Sequence, residues 1–187
     1  GTGAVSISSA AVELAQLKIG QSQGFDGLVS LQKEKVLVVG AGKMSRLLIT
    51  HLQAKGCQDL TLLNRNVERA LTLANDFPKI NIISRNINQL NNYIESSSLV
   101  FTSTASDKPF IDLQRINNLQ ITKLIRFIDI GVPRNISNDV KEHKFIDSFD
   151  VDDLQEVVSR NQEFRKKIAQ EAETLIKDER SLFLEWW

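Results

Sequence analysis

The sequence predicts an α/β fold, a doubly wound parallel sheet with one helix ahead of it and one long helix behind it. Three observations carry that prediction. Short apolar runs alternate with helical segments along the chain. A glycine turn, Gly40-Ala41-Gly42, separates the first apolar run from the helix after it. The last segment, Asp152 to Trp187, contains neither glycine nor proline. At 187 residues, 42% hydrophobic and 25% charged, the chain can bury one core and carry an appendage.

Ser6 to Ile19 reads as a helix with hydroxyl caps at its start and Gly20 behind it. Gln21 to Glu34 is a connector. Val36 to Val39 is the uninterrupted β-branched and Leu run of a parallel strand covered on both faces. Lys43 to Lys55 has Met44, Leu47, Leu48 and Leu52 at helical spacing, with Gly56 as its stop. The second strand is Asp59 to Leu63 and the next helix Val67 to Asp76, halted by Phe77 and Pro78. Ile80 to Ile83 is a short third strand. An asparagine-rich crossover helix, Asn86 to Ser96, feeds strand four at Leu99 to Thr102. Strand five is Leu124 to Ile130 and strand six Phe145 to Phe149. The final helix runs from about Asp152, capped by Asp152 or Asp153, for about 50 Å. Such a rod exceeds what a domain of this size can cover, so it is expected to be a connector or dimerisation spine.

The alternation gives a default strand order of 3-2-1-4-5-6, a Rossmann-type arrangement, with ligands outside the carboxyl ends of the strands. Gly40 permits the tight turn off the first strand, and Gly42 lets a pyrophosphate approach the backbone and the helix N-terminus. Ala41, Lys43 and Met44 complete that turn. Position 45, where a third small residue is wanted for close helix–strand packing, holds Ser45. At the end of strand two an NAD site usually places an acid for the ribose 2′-hydroxyl, and here stand Asn64 and Arg65. With no carboxylate to repel a 2′-phosphate and a guanidinium to bind it, NADPH is expected over NADH. The plain alternative for Arg65 is a solvated turn residue, and for Arg69, one turn on, a surface arginine. Ser103, Thr104, Ala105 and Ser106 follow strand four and suit close approach of a nicotinamide ribose, or a simple turn. Gly131 lies in the loop Asp129 to Arg134 after strand five. Asp129, a carboxylate within an apolar strand, needs a partner and suits loop orientation as well as ligand contact.

The 23 basic residues balance the 23 acidic ones, so the electrostatic footprint of a nucleic-acid binder is absent. The single Cys57 excludes an internal disulfide and points to a reducing compartment. Cys57, His51 and His143 lack metal-site spacing, and no metal is expected. No apolar run approaches a membrane span. The chain opens Gly-Thr-Gly without a methionine and ends in Trp186 and Trp187, as expected of a segment cut from a longer protein.

Four segments together resemble glutamyl-tRNA reductase: GTGAVSISSAAVELA at 1–15, VLVVGAGKM at 36–44 with NRNVERA at 64–70, FTSTAS at 101–106, and FIDIGVPRNI at 127–136. DVDDLQEVV at 150–158 fits the entry to that family's spinal helix. The resemblance implies residues 1–150 as an NADP-binding domain, including the helix 6–19, and 151–187 as the start of a spine leading to a dimerisation domain outside this chain. It further implies a catalytic domain with a nucleophilic cysteine, also outside the chain. By it, the whole enzyme would take glutamate from glutamyl-tRNA as a thioester and reduce that to glutamate-1-semialdehyde for tetrapyrrole synthesis. A bacterial cytoplasm or a plastid stroma is the implied location, and regulatory proteins are left open as partners.

No catalytic residue is expected within the chain. Cys57 follows a helix that runs away from the glycine turn, so it reads as a partly buried thiol. The fragment is expected to bind cofactor, not tRNA, and to perform no reduction alone. Two rival readings are an NADP-dependent dehydrogenase resembling shikimate dehydrogenase, which also uses Asn-Arg after a glycine turn, and a docking module without cofactor affinity.

Overall fold

The computed structural model describes residues 2–185; Gly1, Trp186 and Trp187 lie outside the described residues. Six parallel strands form one sheet in the order β3-β2-β1-β4-β5-β6. They are β1 (Val36–Val39), β2 (Asp59–Asn64), β3 (Asn81–Asn86), β4 (Leu99–Thr102), β5 (Ile125–Asp129) and β6 (Ile146–Phe149). The helices are α1 (Thr2–Ser22), α2 (Lys43–Ala54), α3 (Val67–Asn75), α4 (Leu90–Ser96), α5 (Leu113–Asn117) and α6 (Val151–Glu185). The expected strand order holds.

Successive strand residues point to opposite faces, and the two faces carry separate cores. Val36, Val38, Leu60, Leu62, Leu99, Phe101 and Ile128 meet α1, α2, α3 and Leu154 of α6 on one face. Leu37, Val39, Leu63, Val100, Ile125 and Phe127 meet α4 and α5 on the other. Every residue of β1, β4 and β5 is buried, which is why these strands carry apolar residues on both faces rather than on one.

Several boundaries differ from expectation for physical reasons. Helix α1 passes through Gly20 instead of stopping there; a Cβ at Gly20 would lie 2.8 Å from the Gly27 carbonyl oxygen, so this glycine lets the connector cross the helix. The true stop is Gly24, at φ 74°. Strand β3 begins one residue later and runs to Asn86, pairing along all of β2. Its second half, Ser84 to Asn86, is polar, so that part of the edge strand leaves no hydrophobic signal. Asn86 therefore ends a strand; its side chain accepts from the Asn88 amide at 2.9 Å and starts a 3₁₀ turn that precedes α4. Helix α5, capped by Asp112, and the 3₁₀ turn Asn138–Glu142 went unanticipated, each too short to display a period.

The cap of α6 is Asp150, not Asp152 or Asp153. Its Oδ1 accepts from the amides of Asp152 and Asp153 at 3.0 and 3.3 Å, while Asp153 Oδ2 accepts from the Asp150 amide at 2.9 Å. The first turns of α6 pack on the core through Leu154, Val157 and Val158. Asn161 then donates to Glu13 of α1 at 2.6 Å. Beyond that contact the helix stands clear of the sheet, with Phe164 and Leu175 each 65% exposed. Among the described residues no helix is long and apolar enough to cross a membrane.

Candidate functional site

The carboxyl ends of β1, β2, β4 and β5 open into one cleft of about 1070 Å³, the size of a cofactor site. Its floor is the turn from β1 into α2. Gly40 adopts φ 115°, and a Cβ there would lie 2.4 Å from the Ser103 carbonyl oxygen, so this turn touches the loop after β4 directly. Gly42 differs: it precedes α2 with ordinary extended backbone, and nothing lies within 4 Å of where its Cβ would be. No side chain caps the α2 N-terminus. Its first-turn amides and the positive end of its dipole are thus left to whatever fills the cleft.

Of the expected site residues, Gly40 to Met44, Asn64, Arg65, Ser103 to Ser106 and Gly131 all line this cleft. Ser45 does not; it is fully buried beneath the turn, and its hydroxyl has no hydrogen-bond partner.

At the β2 end three asparagines hold the backbone around Arg65. Asn64 donates to the Asn66 carbonyl at 2.9 Å, Asn86 donates to the Arg65 carbonyl at 3.1 Å, and Asn66 caps α3 by accepting from the Arg69 amide at 3.2 Å. Among the described residues neither the Arg65 nor the Arg69 guanidinium has a partner, and both reach the cleft wall. Lys43 and Arg115 line it too, Arg115 donating to the Phe110 carbonyl at 2.7 Å and to Asn91 at 2.7 Å. No Asp or Glu is among the lining residues.

At the β4 and β5 ends the geometry rests on Asp129, 2% exposed. Its Oδ1 accepts from the Thr102 hydroxyl at 2.9 Å and the Gly131 amide at 2.9 Å. Its Oδ2 accepts from the amides of Asn135 at 2.8 Å and Ile136 at 2.9 Å. Burial pushes its carboxyl above the usual range, and these four donors pull the other way. Asn135, also buried, accepts from the Thr104 amide at 2.9 Å and donates back to the Thr104 carbonyl at 3.5 Å. Its own carbonyl accepts from the Phe110 and Ile111 amides. Asp129 therefore orients a loop and has no lone pair left for a ligand. Pattern in the sequence does not single out Asn135 or Thr102; an Asp inside an apolar strand is the only signal that such partners exist.

Cys57 lies at the other end of α2, 3% exposed, with its thiol pushed up to about 11 by burial. A thiol that stays protonated, at the amino ends of the strands, is no nucleophile for this cleft. Among the described residues no three His, Cys, Asp or Glu side chains gather as a metal site would require.

The model of the family described as Shikimate / quinate 5-dehydrogenase matches residues 22–157. The chain belongs to that family. Within it, the sequence follows glutamyl-tRNA reductase along its whole length. The glutamyl-tRNA reductase of Prochlorococcus marinus (strain CCMP1986 / NIES-2087 / MED4) is 73% identical over 187 residues, 100% of this chain and 43% of the relative. Among solved structures, glutamyl-tRNA reductase from Methanopyrus kandleri superposes with a TM-score of 0.75 at 31% identity, covering 93% of this chain and 42% of that one. The nucleotide binding domain of the Thermoplasma volcanium glutamyl-tRNA reductase shares the fold, with a TM-score of 0.53 at 20% identity over 71% of this chain and 86% of that one. The resemblance to glutamyl-tRNA reductase read from the sequence holds, and the part matched is a nicotinamide-nucleotide-binding domain. The chain spans less than half the length of the curated relatives it matches.

Proposed function

We propose that this chain binds NADPH, in preference to NADH, in the cleft at the carboxyl ends of the strands. The observation that carries the reading is charge. A chain of net charge zero lines this cleft with Lys43, Arg65, Arg69 and Arg115 and with no carboxylate. Such a lining suits a ligand bearing a pyrophosphate and a further phosphate. Gly42 and the first turn of α2 would hold the pyrophosphate; Arg65, with Arg69, would hold the 2′-phosphate. Ser103 to Ser106 and Gly131 would receive the nicotinamide riboside. When bound, the cofactor supplies hydride; the residues of this chain bind it, orient it and fix its approach.

In the full-length protein this domain serves an NADPH-dependent glutamyl-tRNA reductase. There a cysteine outside this chain holds glutamate from glutamyl-tRNA as a thioester. Reduction of the thioester carbonyl, with loss of the thiolate, releases glutamate-1-semialdehyde for tetrapyrrole synthesis. Residues 1–150 form the cofactor domain and 151–187 the start of a spine toward a dimerisation domain. The partners are the catalytic domain, glutamyl-tRNA in the whole enzyme and a second copy; the location is the cytoplasm of a bacterium. This fragment alone binds cofactor without reducing anything.

Calorimetric titration with NADPH and NADH, on the chain and on Arg65→Ala, tests the reading. NADPH should bind at least about 10-fold tighter than NADH, and Arg65→Ala should erase that ratio, since a charge-assisted contact contributes about 1.5–3 kcal/mol. Equal affinity for both nucleotides in the unmodified chain would overturn the NADPH assignment. Absence of binding by either would favour a docking module.

A further inference from the structure

We propose that Asp129 and Asn135 are the positioning residues of the nicotinamide half: they staple the loop after β4 to the loop after β5, fixing the spacing of a wall that neither side chain itself lines. The inference rests on reading the cleft as a nicotinamide-dinucleotide site, in which the second half of the sheet receives the nicotinamide riboside.

The hydrogen-bond inventory supports the role. An ionised carboxylate offers about four lone-pair sites, and Asp129 has donors on all of them, one from β4 and three from the loop that follows β5. Asn135 engages its amide, its carbonyl and both side-chain atoms, joining Asp129 to Thr104 and to Phe110 and Ile111. The two loops are then one hydrogen-bonded body, although Thr104 and Asn135 lie 31 residues apart. Because the network is buried, a bond lost there leaves an orphaned polar group rather than a hydrated one. Moving one loop alone breaks several bonds together, so the spacing between Ser103–Ser106 and Gly131 is held. Among the described residues no hydrogen bond runs from Asp129 or Asn135 to the Gly40–Ser45 turn or to Asn64–Arg69. Ser103, the residue of these loops that meets Gly40, is itself held to β1 by its amide on the Val39 carbonyl, so disturbing the staple should leave the adenosine half of the site intact.

The test uses two probes, NADPH and adenosine 2′,5′-bisphosphate, which lacks the nicotinamide. Affinities are read by calorimetry and the nicotinamide environment by the emission of bound NADPH. Asn135→Ala frees the Thr104 amide; Thr102→Val removes one donor from Asp129 and keeps the three backbone donors. NADPH affinity should fall about 10-fold for Asn135→Ala and about 3-fold for Thr102→Val, by the loss of one to two hydrogen bonds' worth of positioning. Bound-cofactor emission should move toward that of free NADPH, while affinity for the bisphosphate stays within about 2-fold. Equal losses for both probes, or no loss for NADPH in a folded variant, would overturn the assignment. If Asn135→Ala does not fold, Thr102→Val decides by the same criterion. Should the unmodified chain bind neither probe, the cofactor reading falls and this inference with it. If it binds both and the variants match it, only the staple is wrong.

Discussion

The two halves of the cleft are built by different means. The half formed at β1 and β2 is mostly local: Gly40, Gly42 and Arg65 fall within one strand–helix–strand stretch, and the backbone shapes it, with exposed asparagine side chains holding the main chain around Arg65. At β4 and β5, long-range side-chain bonds shape the other half, from Thr102 to Asp129 and from Thr104 to Asn135, 27 and 31 residues apart. The difference teaches that a ligand site can be written partly in turn geometry, which a short motif records. Its remainder lies in buried polar contacts between loops, which no motif records.

The sharpest way to break this contrast lies within the first half, between its two glycines. Gly40→Ala must place a Cβ 2.4 Å from a main-chain oxygen at φ 115°. Strain at that φ and overpacking each cost about 1–3 kcal/mol, so thermal unfolding should show a loss of roughly 2–6 kcal/mol. Gly42→Ala meets nothing within 4 Å and has φ −96°. Its melting temperature should stay near that of the unmodified chain while NADPH affinity falls at least about 10-fold, because the new methyl occupies the pyrophosphate's approach. If both variants lose stability alike, the distinction between a structural and a ligand-facing glycine is wrong.

Gly131→Ala carries the comparison into the second half. A Cβ there would lie 2.7 Å from the Asn135 side chain, whose end is tied to Thr104. The side chain must leave its bonds for the methyl to fit. A loss of about 1–3 kcal/mol is expected from overpacking and the freed Thr104 amide, readable as a lower denaturant midpoint. Were Gly131 needed only for ligand approach, as proposed for Gly42, that midpoint would not move.

How much could be read from the sequence follows the same division. Strand order, the glycine turn and Arg65 were legible because apolar runs buried on both faces and a βαβ unit leave local signals. The cleft segments after β1, β2, β4 and β5 were placed by the rule that ligands lie beyond strand carboxyl ends, whereas the lining from α1, from Ile87 to Leu90, from Phe110 and Arg115, and from Val151 was not. The length of β3 was not legible, since its second half, Ser84, Arg85 and Asn86, is polar and carries no alternation. Helix α5 is a single capped turn around Ile116 and has no period to detect. Asn135 looked like an ordinary loop asparagine; only the folded chain shows that all its hydrogen-bonding groups are engaged.

Ser45 is the smallest and most specific case. The glycine motif wants a third small residue there for helix–strand packing, and serine adds a hydroxyl. In the structure Ser45 fits without exposure, yet its hydroxyl is buried and unpartnered. An unsatisfied buried hydroxyl is a cost that alanine removes, and alanine is also the better helix former. Ser45→Ala should therefore raise stability by up to about 1 kcal/mol, seen as a melting temperature higher by roughly 2–4 °C for a chain of this size. NADPH affinity should not change, because Ser45 does not line the cleft. A drop in affinity with stability unchanged would instead mean that the hydroxyl meets the cofactor when it binds, and the local half of the site would then also depend on a buried polar contact.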